Sequence, residues 1–168
     1  MRDIPNFDDA NFAMRLYELR REPELRKARK MVGDLLDGAS WETVNAVRQY
    51  GHAENAHFRQ VTSYWEIVAS FVNRGIFHPD VYLDTCGEAL YTYCVLKPHG
   101  VKIRESGSPR FLAQTEQVVR DHAAVRERVE TIDKAMEAYR AQAAAMAAAK
   151  GAKKVANGGA RKPAKAKR

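Results

Sequence analysis

Apolar residues recur every three or four positions along most of the chain, the spacing of helices with one buried face. Phe12, Leu16 and Leu19 mark a first helix that Asp8 or Asp9 can cap. Pro23 interrupts it and suits the first turn of a second helix, PELRKARKMVGDLL, which Gly38 stops. Ser40 caps a short helix beginning at Trp41, and Gly51 closes it. The segment AENAHFRQVTSYWEIVASFVNRG carries Phe58, Val61, Tyr64, Trp65, Val68, Phe71 and Val72. So wide an apolar face predicts a central helix packed from two sides. Gly75 is its expected C-terminal cap, with Ile76 folding back as the hydrophobic contact. His78, Pro79 and Asp80 open another helix whose stripe runs Leu83, Cys86, Leu90 and Cys94, until Pro98 and Gly100 kink or end it. No segment alternates as a strand would. The predicted fold is all-α, an antiparallel helical bundle.

Ser108 and Pro109 predict the start of the last and longest helix, unbroken until Gly151 and about 60 Å long at 1.5 Å per residue. Phe111, Thr115, Val118, His122, Val125, Val129, Ile132, Met136, Tyr139, Ala143 and Met146 alternate spacings of four and three. That is a heptad repeat. In a parallel pair Asp121 would face Arg126 and Arg128 would face Asp133, both opposite in sign. Three readings of the stripe stand: self-association into a homodimer through Val125, Val129, Ile132, Met136 and Tyr139, packing on the rest of its own domain, or a different protein partner. The first half, Phe111 to Val125, is expected to pack on the domain, where Leu112 and Val119 widen the face, and the second half, Ile132 to Met146, to extend beyond it.

Charge changes the picture at one end only. The formal net charge is +7, but Lys150, Lys153, Lys154, Arg161, Lys162, Lys165, Lys167 and Arg168 exceed it by themselves, and no acidic residue joins them. Residues 1–149 are therefore near neutral, and basicity belongs to the tail. The tail's Lys, Ala, Gly and Pro leave almost nothing to bury, so a disordered cationic arm is expected over 150–168. Such an arm attracts nucleic acid and other polyanions without reading sequence. Lacking aromatic residues, it offers no base stacking. A purely solubilising tail is the other reading. The organisation is a helical domain over 1–108, a long helix over 109–149, and the tail.

Candidate chemistry is sparse. Cys86 and Cys94, eight apart on one helix, would stand roughly 12 Å apart. That is too far for a disulfide, so they read as small buried hydrophobes in a reducing compartment. His52 and His57 are five apart, not the three or four of a metal pair on one helix. No metal site or cofactor is expected, and no nucleophile, phosphate-loop or zinc-protease motif occurs. The N-terminus has no apolar run of signal-peptide or membrane-span length, so a cytoplasmic protein without a membrane partner is expected. Glu66, inside the most apolar helix, requires a donor if its side is buried. Arg48 and Arg104 are the expected partners. A ligand pocket near Trp65, Glu66 and Arg104 is the alternative.

PELRKAR at 23–29, SYWEIVASFVNRGIFHPDVY at 63–82 and LKPHGVKIRE at 96–105 together resemble a bacterial family of helical proteins, domain of unknown function 4760. The resemblance covers residues 10–105 and rests on Pro23, Glu24, Ala28, Arg29, Trp65, Glu66, Gly75, Asp80, Lys97, Pro98 and Arg104. It implies a fold and no mechanism. Many members carry an N-terminal membrane span; none is expected in this sequence, so a membrane-tethered role is not expected. The functional expectation is a non-enzymatic interaction or adaptor protein whose tail adds polyanion affinity. A small-molecule-binding or enzymatic helical domain is the rival.

Overall fold

The computed structural model describes residues 4–158, with side chains described through residue 148. Its contacts divide the chain into two units, Met1–Ile132 and Asp133–Arg168. Among the described residues there are helices and turns and no strand.

In the first unit, α1 spans Phe7–Arg20. Its cap is Asn6 rather than Asp8 or Asp9: the Asn6 side chain accepts from the amides of Asp8 and Asp9. Asp9 returns a bond to the Asn6 amide, closing a capping box. Helix α2, Pro23–Met31, has Pro23 in its first turn and Glu22 as cap. It widens into one π-helical turn, Val32–Leu36. Ser40 caps α3, Trp41–Arg48, as its position before Trp41 predicts.

Helix α4, Asn55–Asn73, is the centre. Val61, Trp65, Val68, Ala69 and Val72 are buried along it, and it packs against α2, α3 and a later helix, α8 (Ala113–Asp121). Each buried valine among them contributes about 1.5–3 kcal/mol. Gly75, at φ 68°, ends it in a Schellman turn: its own N–H reaches Val72 O and that of Ile76 reaches Phe71 O, both 2.9 Å. The hydrophobic contact differs from expectation. Ile76 is exposed, and Phe77 folds inward to meet the Phe12 ring at 4.9 Å.

Beyond it, α5 is Pro79–Thr85 and α6 is Gly87–Leu96. The stripe predicted as one helix breaks at Cys86, so α5 can pack on α1 while α6 turns toward the π-helical segment. Both cysteines are buried and neither forms a disulfide. A 3-10 turn at Lys97–His99 leads into α7, Gly100–Glu105.

The single helix predicted from Pro109 is also divided. Residues 109–112 form a turn, α8 spans Ala113–Asp121, and His122 is extended at its end. Helix α9 then runs Ala123–Gly158, passing Gly151 and so entering the segment predicted as a disordered tail. Its alanines favour helix. Val125 and Val129 are buried in the first unit, where the Cys94 thiol lies 3.8 Å from Val129 O. The second unit contains the distal part of α9, where Tyr139 and Met146 are exposed.

One contact between α2 and α4 is sensitive to pH. His57 sits between Glu54, 2.7 Å from Nδ1, and Glu24, 3.4 Å from Nε2. Lys27 in turn holds Glu24. The hydrogen bond to Glu54 raises the His57 pKa above its ordinary 6.5, with Glu24 adding to it against partial burial. A raised folded-state pKa stabilises fully below the unfolded value, and the gain is lost as pH rises through the folded value. The stability difference between wild type and His57→Gln is therefore expected to be largest below pH 6.5 and to shrink above it. Urea titrations of both proteins at a series of pH values measure this. A difference that does not vary with pH rules out the clamp.

Candidate functional site

A groove of about 670 Å³ lies in the first unit, bounded by α4, the C-terminus of α3 and the 106–112 turn. Ala56, Gln60, Ser63 and Glu66 recur at three- and four-residue spacing and give α4's contribution one face. Arg59 lies beside them. The turn supplies Ser108, Arg110, Phe111 and Leu112. Phe58 on α4 lies parallel to Phe111, with ring centroids 6.0 Å apart and an interplanar angle of 6°. These rings join the two walls.

Glu66 sets the position of the turn. Its Oε2 accepts from the Gln114 amide at 2.9 Å. Its Oε1 accepts from the Thr115 amide at 3.0 Å and the Thr115 hydroxyl at 2.6 Å. Those amides belong to the first turn of α8, where N–H groups have no partner within the helix. The residue before α8, Leu112, has no side chain that could cap it. A carboxylate from α4 therefore caps α8 from a distance and meets the positive end of its dipole. Leu112 is held at φ 57° with its side chain buried, an unusual conformation for leucine.

The two arginines expected to meet Glu66 do not. Arg104 Nη1 donates to Glu116 Oε1 at 2.8 Å and to Phe111 O at 3.2 Å, so it anchors the turn from behind. Arg48 Nη1 donates to Ser106 Oγ at 2.9 Å and Asn45 Oδ1 at 3.2 Å, and Nη2 to Ser108 Oγ at 3.5 Å. The backbone amides of α8 satisfy Glu66 and leave no need for a guanidinium. Trp65 does not line the groove either: it is only 1% exposed and packs in the core against Tyr64.

Three guanidinium groups therefore border one groove without a carboxylate partner. Arg48 is half-buried and bonded only to neutral oxygens, and burial pulls its pKa below the ordinary value. Arg59 and Arg110 are exposed, and among the described residues neither forms an ion pair. The one acidic residue lining the groove is Glu66, whose two oxygens are both spent on α8. Sequence reasoning did not single out Arg59, Arg110, Phe58 or Phe111 for this role. Arg59 and Glu66, seven apart on α4, were a readable sign of a shared face; Arg110 and Phe111, in a segment predicted as helix, were not.

The remaining expected sites fall elsewhere. Of the self-association residues, Val125 and Val129 are occupied by the chain's own core and Ile132 is half-buried. Met136 and Tyr139 belong to the second unit. The cations Lys150, Lys153, Lys154, Arg161, Lys162, Lys165, Lys167 and Arg168 lie outside the residues whose side chains are described. Among the described residues no cluster of three or more His, Cys, Asp or Glu side chains could hold a metal ion. None of their helices is long and apolar enough to cross a membrane.

A family model described as "Domain of unknown function (DUF4760)" matches residues 7–122, a span that includes every residue lining the groove. No curated protein and no solved structure matches the chain.

Proposed function

The chain belongs to the DUF4760 family, and from that premise we propose that it is a non-enzymatic interaction protein whose helical body docks an anionic segment of a protein partner in the groove beside α4. The observation that carries this reading is the charge imbalance of the groove. Arg48, Arg59 and Arg110 face it without carboxylate partners, while Glu66 is consumed in capping α8. Cations so arranged favour an incoming anion by complementarity and speed its arrival. In this reading the tail adds loose affinity for nucleic acid and other polyanions through counterion release. The rival, an enclosed small-molecule pocket at Trp65, Glu66 and Arg104, is weakened by the core position of Trp65 and the pairing of Arg104 with Glu116.

Groove and tail separate in one experiment. Full-length protein and a chain ending at Ala149 are titrated with a fluorescent oligo-glutamate peptide and with single-stranded DNA across a salt series. The truncated chain is expected to lose DNA binding and keep the peptide. Arg59→Glu combined with Arg110→Glu is expected to weaken the peptide by about 100-fold, since like charges then oppose it at two points. Peptide binding that disappears with the tail and ignores the two arginines overturns the reading.

A further inference from the structure

We propose that the groove is a phosphate-selective peptide site, taking a phosphoserine or phosphothreonine side chain within an extended segment of the partner protein. This rests on the docking function proposed above and names its chemical specificity.

The number of cations is the first argument. A carboxylate carries one negative charge, and neutralising one guanidinium leaves the other two in the groove uncompensated. A phosphate monoester carries close to two charges at neutral pH and three acceptor oxygens. It can receive paired N–H donors from more than one planar guanidinium, the geometry arginine provides and lysine does not.

Preorganisation is the second. Ser106 and Asn45 accept from Arg48 Nη1, and Ser108 from Nη2, so the half-buried guanidinium is oriented before any ligand arrives. Those partners are uncharged and leave its positive charge for the ligand. Arg59, on α4, and Arg110, on the turn, are exposed and line the same groove as Arg48.

Shape supplies the third. The α4 face of the groove runs from Ala56 to Glu66, which at 1.5 Å per residue is about 15 Å. A phosphate alone occupies a fraction of that length, whereas four or five residues of extended peptide at about 3.3 Å each match it. Gln60, whose side-chain amide makes no hydrogen bond among the described residues, is placed to meet peptide backbone. Phe111, half-buried and backed by Phe58, offers apolar surface to a side chain next to the phosphate. Nucleic acid fits less well. Its phosphodiesters are monoanions, and Phe58, only 5% exposed, leaves no open ring pair for bases.

The test uses the full-length protein and three fluorescein-labelled heptapeptide mixtures. These are randomised except at the centre, which is phosphoserine, serine or glutamate. The phosphoserine mixture is expected to bind at least about tenfold more tightly than either other mixture, the scale of a charge-assisted hydrogen bond. Arg59→Ala with Arg110→Ala should erase that preference with the basic tail intact. Arg59→Lys with Arg110→Lys should retain attraction but lose selectivity between phosphoserine and glutamate. Inorganic phosphate should displace the bound mixture. Equal, arginine-dependent binding of the glutamate and phosphoserine mixtures overturns phosphate selectivity and leaves the docking function standing. Binding indifferent to Arg59 and Arg110 overturns both. An oligonucleotide that outcompetes the phosphoserine mixture in an arginine-dependent way overturns the peptide assignment.

Discussion

Glu66→Ala is expected to lower the unfolding free energy by about 2–4 kcal/mol, measured by urea denaturation at neutral pH. Alanine leaves the amides of Gln114 and Thr115 without their acceptors, and the Thr115 hydroxyl loses its 2.6 Å bond. An ordinary side-chain cap is worth about 0.5–2 kcal/mol. This one is charged, joins distant elements, and faces the positive end of the α8 dipole, each of which adds to the loss. Glu66→Gln keeps one acceptor oxygen but presents an amide nitrogen where an acceptor was, so an intermediate loss is expected. The consequence reaches the groove, because the α8 N-terminus holds Leu112 and, through it, Phe111. Glu66→Ala should therefore weaken ligand binding even under conditions where the protein stays folded. A change below about 0.5 kcal/mol would mean that water serves those amides equally well.

Asp9→Ala is expected to cost about 2–3 kcal/mol, for a related reason. Asp9 is 1% exposed despite its charge. Its Oδ2 accepts from the Asn6 amide at 2.8 Å, within the capping box of α1. Its Oδ1 accepts from the His78 amide at 2.9 Å, at the start of α5. One carboxylate thus serves the N-termini of two helices. Alanine leaves a buried N–H of His78 unpaired and breaks the box. Asp9→Asn retains the bond to His78 but turns an amide toward the Asn6 N–H, so it should recover only part of the loss. Thermal denaturation of the three proteins side by side gives the ranking. If Asp9→Asn matched wild type, the acceptor geometry and not the charge would be what α1 and α5 require.

Both expectations concern carboxylates with a partner far along the chain, and that distance separates what was readable in the sequence from what was not. Helix punctuation was readable because it is local. Ser40 caps α3, Pro23 enters α2, Gly75 ends α4, and His78 and Pro79 open α5, each acting on backbone within a few residues. The width of the apolar face on α4 was readable too, since burial on several sides leaves its mark on composition. The interruptions at Cys86 and His122 were not, because the apolar stripe continues through both. Only packing decides that α5 turns to α1 and that α9 starts afresh.

The groove shows the same division. Glu66 could be recognised as a carboxylate in need of donors, but arginine was the expected donor and the amides of α8 were the ones found. Their partnership spans 48 and 49 positions and depends on where the turn before α8 is placed. That turn depends in turn on Arg104 holding Phe111 O and on burial of a leucine at positive φ. By itself the sequence determined the helices, most of their ends and the all-α class, because propensity, capping and periodicity act over one or two turns. The tertiary structure alone decided which charges are spent on one another and which are left facing the groove, because those pairings are made between residues that only folding brings within reach.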